Sequence, residues 1–217
     1  MTSGAGRSRK RVLNAGSGPP TSRSLFPIFK GSEWREVRMD LDPGTLPDFV
    51  GSVVDMQDLV EDGTFDAIWA SHVVEHLPRH AVRRALLEFR RILRKSGFLL
   101  IASPDLHSVA EALVRNGPDF VAYTSPAGPI TPLDMLYGHS TSIESGNTFM
   151  EHKTGFTDQT LSRMLVGVGF SKALTLRDGR YNLWAIGLMP ESDERELTAL
   201  FATCGIDLGI WAQYRGH

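Results

Sequence analysis

Two short segments of the sequence combine residue types that can hold a nucleoside. The run Val12-Leu13-Asn14-Ala15-Gly16-Ser17-Gly18 is typical of a buried strand that ends in a tight glycine turn, where backbone can approach a ligand closely. Asp40 lies 22 residues after Gly18, at the end of a second apolar run. An acidic side chain at this distance can accept hydrogen bonds from ribose hydroxyls. The pair indicates a nucleoside-containing ligand at the carboxyl ends of parallel strands.

Histidine is the side chain best matched to proton transfer at neutral pH. The candidates near the predicted ligand edge are His72, His76, His107, His139 and His152. We prefer His139 and His152 as general bases because both lie in the segment expected to contact substrate. Asp105, which directly follows the fifth predicted strand, is a third candidate.

Two motifs suggest other chemistry but fit poorly. His72-Val73-Val74-Glu75-His76 matches the H-x-x-E-H pattern of a zinc peptidase class, which requires a helix. Pro78 would cut that helix short, so we interpret Glu75 and His76 as residues that stabilise a turn, and we expect no metal. The glycine turn lacks the third glycine of a dinucleotide-binding motif, because Thr21 stands there, and this disfavours an oxidoreductase.

The apolar runs alternate with helical patterns, as parallel α/β folds require. We predict strands at 11–15, 36–41, 49–54, 65–70, 98–102, 170–176 and 183–188, and helices at 79–95, 108–115 and 157–168. Gly97 is expected to end the first helix in the left-handed conformation. Segment 21–30, interrupted by Pro27, should form at most a short or kinked helix. Asp178-Gly179 suits a turn between the last two strands. The expected fold is a Rossmann-like three-layer α/β/α sandwich with a mostly parallel seven-stranded sheet and an antiparallel C-terminal hairpin.

Composition divides the chain into three parts. Residues 1–10 are small, polar and basic, and are expected to be disordered. Residues 11–190 should form the ligand-binding domain. This domain includes an insertion at about 104–156, rich in Gly, Pro, Ser and Thr, that we interpret as the substrate-recognition region. Residues 191–217 are predicted to form a helical tail, with Leu197, Leu200 and Phe201 at helical spacing.

The bulk properties of the 217 residues are those of an ordinary α/β domain. A formal net charge of −2 gives no global indication of a nucleic-acid or lipid partner. The single cysteine, Cys204, excludes an intrachain disulfide. No apolar run approaches the ~18 residues of a membrane span, and no secretory signal is recognised, so we expect a cytoplasmic protein without a membrane partner.

The order of these segments resembles class I S-adenosylmethionine-dependent methyltransferases, in particular the small-molecule type often labelled type 11. The resemblance covers about 11–190. It rests on the glycine turn, Asp40, Val54-Asp55-Met56, the fourth-strand segment 65–77 and segment 90–101. Asn14 stands where the family usually has aspartate, and Pro19-Pro20 replaces a later glycine and would stiffen the turn.

The resemblance implies roles for individual residues. Backbone of the glycine turn would lie under the methionine part of S-adenosylmethionine, and Asp40 would bind the ribose. Asp55 would accept from the adenine amino group, and the Met56 backbone would meet a ring nitrogen. Ala70 and Ser71 would lie near the sulfonium. The complete predicted cofactor site is Asn14, Ala15, Gly16, Ser17, Gly18, Asp40, Leu41, Asp55, Met56, Ser71 and His72.

The predicted function is methyl transfer from S-adenosylmethionine to an oxygen or nitrogen of a small molecule, leaving S-adenosylhomocysteine. Asn14 and Pro19-Pro20 motivate one alternative, a catalytically weak or inactive cofactor-binding module. A weaker alternative is RNA methylation through the basic face of helix 79–95, although no nucleic-acid partner is expected. The predicted oligomeric state is a monomer or a homodimer.

Overall fold

A computed structural model describes residues 9–21 and 25–215 of the chain. Its strands are β1 Lys10–Ala15, β2 Trp34–Asp40, β3 Phe49–Val50, β4 Phe65–Ser71, β5 Leu93–Pro104, β6 Tyr123–Ser125, β7 Gly128–Ile130, β8 Lys172–Arg177, β9 Asn182–Leu188 and β10 Ala212–Arg215. Within the described residues, eight strands form one sheet in the order β10-β8-β9-β5-β4-β1-β2-β3. Strands β1 to β5 are parallel, and β8, β9 and β10 pair antiparallel.

Helices cover both faces of this sheet. The α-helices are α1 Arg79–Ile92, α2 Leu106–Asn116, α3 Pro132–Tyr137, α4 Ser140–Glu144, α5 Asp158–Gly167 and α6 Glu194–Ala202. Short 3-10 helices occupy Pro27–Phe29, Pro43–Thr45, Val74–His76, Thr148–Met150 and Leu208–Ile210. Helices α1 and α5 bury their apolar sides on one face, and α6 with two of the 3-10 helices covers the other. The predicted three-layer α/β/α fold is therefore confirmed.

Strand alternation divides the core between the two faces. In β1, Leu13 and Ala15 belong to the cluster under α1 and α5, whereas Val12 belongs to the cluster under α6. In β4, Ile68 likewise packs on the first face and Trp69 on the second. Because both faces are buried, these strands read as continuous apolar runs, which is why the sequence pattern located them correctly.

The sheet has one strand more than the predicted seven. The tail forms the expected helix, α6, but then continues into β10, which pairs antiparallel with β8. Trp211 is almost fully buried and fixes the start of this strand. Strand β10 is polar and lies at the edge of the sheet, so its sequence carries no apolar run. Residues 216–217 of the predicted tail, and residues 1–8 of the segment expected to be disordered, lie outside the described residues. Lys10 already belongs to β1.

Gly97 does not end the first helix. Helix α1 stops at Ile92, and Leu93 already pairs with Phe65 of β4. Gly97 lies inside β5, at an irregularity in the pairing with β4, where an added Cβ would lie 2.9 Å from the carbonyl oxygen of Asp66. The close approach of two backbones, rather than a left-handed turn, therefore requires glycine here.

Two other elements are shorter than predicted. Strand β3 contains only Phe49 and Val50, because a turn closed by the Asp55 amide and the Ser52 carbonyl at 3.1 Å follows it. In segment 21–30, the described part forms only the 3-10 helix Pro27–Phe29, and 22–24 lie outside the described residues. The predicted helix 157–168 is confirmed as α5, with Thr157 as its N-cap.

The insertion, residues 105–156, leaves and rejoins the sheet at one point. Asp105 bridges Phe156 in parallel, and the Leu106 amide donates to the Phe156 carbonyl at 2.9 Å. Between these ends lie α2, the β6–β7 hairpin, α3 and α4, with a small apolar core of their own that includes Val109 and Met135. Its role in substrate recognition stays a prediction.

Phe201 is expected to fix the C-terminal tail to the sheet. Its side chain is fully buried, and its ring centroid lies 6.2 Å from that of Phe26 and 6.3 Å from that of Trp211. We expect Phe201→Ala to lower the free energy of unfolding by about 3–5 kcal/mol, measured by urea denaturation. Ile210→Ala is the control, because that side chain is 68% exposed and its loss should change stability by about 0.5 kcal/mol or less. Equal destabilisation by both variants would contradict this role.

Candidate active site

The glycine turn folds back onto the end of β2. Gly16 and Gly18 have φ values of 63° and 62°, as the sequence predicts for a tight glycine turn. An added Cβ at Gly16 would lie 2.6 Å from Cγ2 of Val73, so the turn also has no room for a side chain. The Ser17 amide donates to the Met39 carbonyl at 3.0 Å, which brings the turn beside Asp40.

Asp40 joins the glycine turn to the carboxyl end of β2. One carboxylate oxygen accepts from the Gly18 amide at 2.8 Å, and the other accepts from the Asp42 amide at 3.0 Å. Each carboxylate oxygen can accept more than one hydrogen bond, so capacity remains for ribose hydroxyls. Arg38 donates to the Gly18 carbonyl and secures the turn from behind. Leu41 is 53% exposed and offers an apolar surface next to this carboxylate.

Asn14 is buried at the end of β1 and ties this strand to β2. Its side-chain amide donates to the Glu36 carboxylate at 2.7 Å. The hydrogen bond orients the strand end from which the glycine turn begins, although the family's usual aspartate is absent. A contact between Asn14 and the cofactor stays a prediction.

Asp55 and Met56 differ from each other in exposure. Asp55 is exposed, and its carboxylate can therefore reach an adenine amino group. Met56 is fully buried, and its amide donates to the Glu88 carboxylate at 2.8 Å. The predicted contact between the Met56 amide and an adenine ring nitrogen is therefore wrong, because α1 already supplies the acceptor for that amide.

Glu88 holds the loop that carries Met56 against α1. Besides the Met56 amide, its carboxylate accepts two hydrogen bonds from Arg91, at 2.9 and 2.8 Å. The hydrogen bonds from Arg91 and Met56, together with the positive charge of Arg91, outweigh partial burial and lower the pKa of Glu88.

We expect Glu88→Gln to lower the free energy of unfolding by about 1–3 kcal/mol at pH 7, because Arg91 loses its charged partner. The pKa of Glu88 is lower in the folded chain, so this contribution is present above its ordinary pKa and is lost as the pH falls through the lowered value. The difference between wild type and variant should therefore shrink in denaturation curves recorded below about pH 4. Glu61→Gln, a change at an exposed acid, serves as the control. A difference that is independent of pH would contradict the assignment.

The chain makes a strained turn at the end of β4. His72, which follows the half-buried Ser71, has a φ of 52°, a value that residues other than glycine adopt infrequently. Its Nδ1 atom lies 3.0 Å from Oε1 of the buried Glu75. Burial alone would lower the pKa of His72, but the hydrogen bond and charge of Glu75 raise it above the ordinary value. Burial raises the pKa of Glu75, yet His72 and His76 lower it overall, so this carboxyl is ionised.

A cavity of about 220 Å³ opens between the end of β5, the 3-10 helix Val74–His76 that follows β4, and the insertion. Its polar lining includes Glu75, Tyr137 and His152. Its apolar lining includes Leu106, Val109 and Met135. The walls combine apolar surface with few polar groups, as small-molecule sites do.

His152 lines this cavity, and its hydrogen bonding defines the tautomer of its ring. Its Nδ1 atom lies 2.9 Å from the Met135 carbonyl oxygen, which can only accept, so Nδ1 carries the hydrogen. Burial lowers the pKa of His152, despite the raising effect of Glu75 and the Met135 carbonyl, and the ring is neutral at pH 7. In a neutral ring with this tautomer, Nε2 holds a lone pair that can accept a proton.

The three predicted bases differ in whether they line the cavity. Asp105 is fully buried, caps the start of α2 and pairs with Arg177 at 2.6 Å, so its prediction as a base is wrong. His139 precedes α4, bonds the Ser142 hydroxyl at 2.7 Å and is not among the described residues that line the cavity. Of the three, only His152 is placed to contact a ligand there.

Glu75 and His76 contribute more than the turn that the sequence suggests. They lie in a 3-10 helix, which excludes the α-helical H-x-x-E-H arrangement. His76 instead meets His152, with ring centroids 4.8 Å apart, and ligand atoms of Glu75, His76 and His152 all lie within 4.8 Å of one another. The sequence does not reveal this cluster, because His152 lies 76 residues after His76 and is brought there by the fold of the insertion.

A helix that is both long and apolar enough to cross a bilayer is absent from the described residues.

In comparisons with known proteins, residues 13–101 match the family model of a methyltransferase domain. This range contains the second half of β1, all of β2 to β4 and α1, and most of β5, and it includes every residue of the predicted cofactor site. Among curated proteins, none matches this chain in sequence.

Solved structures of methyltransferases share the fold at low sequence identity. A SAM-dependent methyltransferase from Archaeoglobus fulgidus is 14% identical, with a TM-score of 0.53 over 83% of this chain and 86% of that chain. The 1,6-didemethyltoxoflavin-N1-methyltransferase of Burkholderia thailandensis, solved with bound 1,6-didemethyltoxoflavin and S-adenosylhomocysteine, is 17% identical, with a TM-score of 0.52 over 85% and 72%. Residues 13–101, less than half of the chain, are thus similar to a methyltransferase domain, and the chain has the Rossmann-like fold of S-adenosylmethionine-dependent methyltransferases.

Proposed function

We propose that this chain methylates an oxygen or nitrogen atom of a small molecule held in the cavity beside His152. The observation that carries the proposal is the position of this cavity, which is lined by Pro104 at the carboxyl end of β5, by Glu75 in the 3-10 helix that follows β4, and by the insertion. Ligands of open α/β sheets bind at such strand ends. The Burkholderia thailandensis structure shows a small molecule and S-adenosylhomocysteine on the same fold.

The residues present fit the cofactor. S-adenosylmethionine supplies the electrophilic methyl group when it is bound. The glycine turn has no room for a side chain at Gly16, Asp40 keeps acceptor capacity for ribose hydroxyls, and exposed Asp55 can accept from an amino group. Leu41, Ser71 and His72 complete the proposed site, and Met56 supports it from the core through Glu88.

The proposed role of His152 is to take the proton that the acceptor atom loses. Its Nδ1–H is held by the Met135 carbonyl, so Nε2 is the accepting atom. The apolar walls limit water near this nitrogen, and the insertion positions the acceptor. Tyr137 lines the cavity and is 67% exposed, so its ring provides an aromatic surface for the acceptor.

Methylation of RNA through the basic face of α1 has less support. Arg90 donates to a backbone carbonyl at 2.9 Å, Arg91 pairs with Glu88, and Arg94 pairs with Asp66 at 2.7 Å. These contacts use three of the basic side chains within the fold. Arg94 and Lys95, which belong to the predicted basic helix 79–95, lie in β5 rather than on the helix.

The test begins with calorimetric titration of the purified chain with S-adenosylmethionine and with S-adenosylhomocysteine. One-to-one binding is expected. Release of S-adenosylhomocysteine is then measured with a panel of phenols, hydroxy acids and amines, and with RNA at low salt. Turnover of a panel member supports the proposal. Cofactor binding without turnover of any member favours the inactive-module alternative, and turnover of RNA alone overturns the small-molecule assignment.

A cytoplasmic location and a monomeric or dimeric state stay predictions.

A further inference from the structure

We infer that Glu75, His76 and His152 form a binding site for one divalent transition-metal ion, for which Zn²⁺ is the simplest probe. One ligand atom from each residue lies within 4.8 Å of the other two. Two imidazole nitrogens and one carboxylate oxygen are a recurrent donor set for zinc and for other divalent first-row metals. A bound ion, at about 2.0–2.2 Å from each of these atoms, would draw them closer together.

Both imidazole rings are already oriented as metal ligands are. Nδ1 of His76 lies 3.0 Å from the Glu151 carbonyl oxygen, and Nδ1 of His152 lies 2.9 Å from the Met135 carbonyl oxygen. Because a carbonyl oxygen only accepts, both Nδ1 atoms carry hydrogen and both Nε2 atoms hold a lone pair. Metal-binding histidines typically donate their second ring hydrogen to a carbonyl or carboxylate in this way, which fixes the tautomer.

The carboxylate of Glu75 gives a second and independent indication. Its side chain is 1% exposed, and its Oε1 atom is occupied by His72. Its Oε2 atom is buried and has no hydrogen-bond partner among the described residues. A buried carboxylate oxygen without a partner is costly, and such an atom calls for a bound ion or water. A cation between Oε2 and the two Nε2 atoms would satisfy all three groups.

The backbone holds the two parts of the cluster together. The amides of Lys153 and Thr154 donate to the Glu75 carbonyl at 2.7 and 3.1 Å. His152 in the insertion is therefore fixed directly against Glu75 and His76, which follow β4. Because the three ligands are already held in place, binding of the ion costs less free energy for ordering them.

The site adds a substrate class to the proposed function, on which this part of the inference rests. Glu75 and His152 line the acceptor cavity, so a three-ligand ion leaves its fourth position for a molecule bound there. An acceptor hydroxyl at that position becomes more acidic and releases its proton to solvent. With the ion present, Nε2 of His152 is a ligand and no longer a base. The favoured acceptors are therefore oxygen compounds that bind divalent metals, such as catechols, enols or hydroxy acids.

The direct test is calorimetric titration of metal-stripped protein with Zn²⁺, together with the visible absorption spectrum of the Co²⁺-loaded protein. We expect one ion per chain and Co²⁺ bands of a low-coordinate site. His76→Gln, His152→Gln and the isosteric Glu75→Gln should each weaken Zn²⁺ binding by at least about tenfold. His107→Gln is the matched control, because His107 is half-exposed and pairs with Glu111 at 3.3 Å. Thermal melting confirms that each variant is folded.

Two results would overturn the inference. One is the absence of Zn²⁺ and Co²⁺ binding by folded wild-type protein, and the other is binding that the three cluster variants leave unchanged. Cofactor binding and turnover of the acceptor panel are measured separately with and without Zn²⁺. Turnover without metal binding therefore rejects the metal site and keeps the proposed function. Metal binding without turnover keeps the site and rejects the acceptor assignment.

Discussion

An Asp40→Ala variant is expected to bind S-adenosylmethionine about 100-fold more weakly than wild type and to lose methyl transfer at moderate cofactor concentration. In the wild type, the Asp40 carboxylate accepts a hydrogen bond from the Gly18 amide at 2.8 Å and can still accept hydrogen bonds from ribose hydroxyls. Each hydrogen bond to a charged group contributes about 1.5–3 kcal/mol, and every ~1.4 kcal/mol changes affinity tenfold. Loss of two ribose contacts and of the support for the glycine turn accounts for the effect. Calorimetric titration measures it.

Asp48→Ala is the matched control for this experiment. Asp48 also accepts a backbone amide in this region, that of Arg38 at 2.7 Å, but it is not part of the proposed cofactor site. Its affinity for S-adenosylmethionine should stay close to wild type. If a folded Asp40→Ala chain binds the cofactor as tightly as Asp48→Ala does, the assignment of the ribose-binding carboxylate is wrong.

A His152→Gln variant is expected to lower the kcat of methyl transfer by about 100- to 1,000-fold, within the usual range for removal of a general acid or base. His152 lines the cavity, its Nε2 atom holds a lone pair in the tautomer that the Met135 carbonyl fixes, and glutamine supplies no comparable basic atom. The loss is expected whether this nitrogen takes a proton or holds a metal ion. Because His152 lies on the acceptor side, the dissociation constant of S-adenosylmethionine should not change. Steady-state kinetics with the acceptor identified from the panel, and cofactor titration, give the two values.

His139→Gln provides the comparison within the same insertion. His139 bonds Ser142 and lies apart from the described cavity lining, so its replacement should leave kcat within about threefold of wild type. Equal turnover by both variants would remove His152 from the reaction. Equal loss in both would indicate that the shape of the insertion, and not one ring nitrogen, limits the rate.

The sequence predicts most of the sheet because its signals are local. Strands buried on both faces, such as β1 and β4, read as short apolar runs, and α1 has one clear apolar stripe. Strand β10 lacks such a signal, because a polar edge strand depends on its partner for its conformation. Gly97 was misread because a glycine between a helix and a strand fits a helix end, whereas the requirement comes from the backbone of β4.

In the candidate site too, the sequence predicts the local features but not those that depend on distant partners. Gly18 and Asp40 could be paired from spacing alone, since both end neighbouring parallel strands. Met56 and Asp105 were misassigned because their partners, Glu88 and Arg177, lie 32 and 72 residues away. Sequence spacing carries no information on such contacts. A residue type that can bind a ligand can equally well form a hydrogen bond or ion pair within the protein.

The two ends of the insertion meet through one bridge between Asp105 and Phe156. A segment whose ends are already joined can change in length and content at little cost to the sheet, because closing a longer loop costs only about 0.6 kcal/mol for each doubling of its length. The sheet that carries the predicted cofactor site and the insertion proposed to select the acceptor are thus free to diverge at different rates. If the proposed role of the insertion is correct, grafting it at 105 and 156 between methyltransferases of this fold should exchange their acceptor preference.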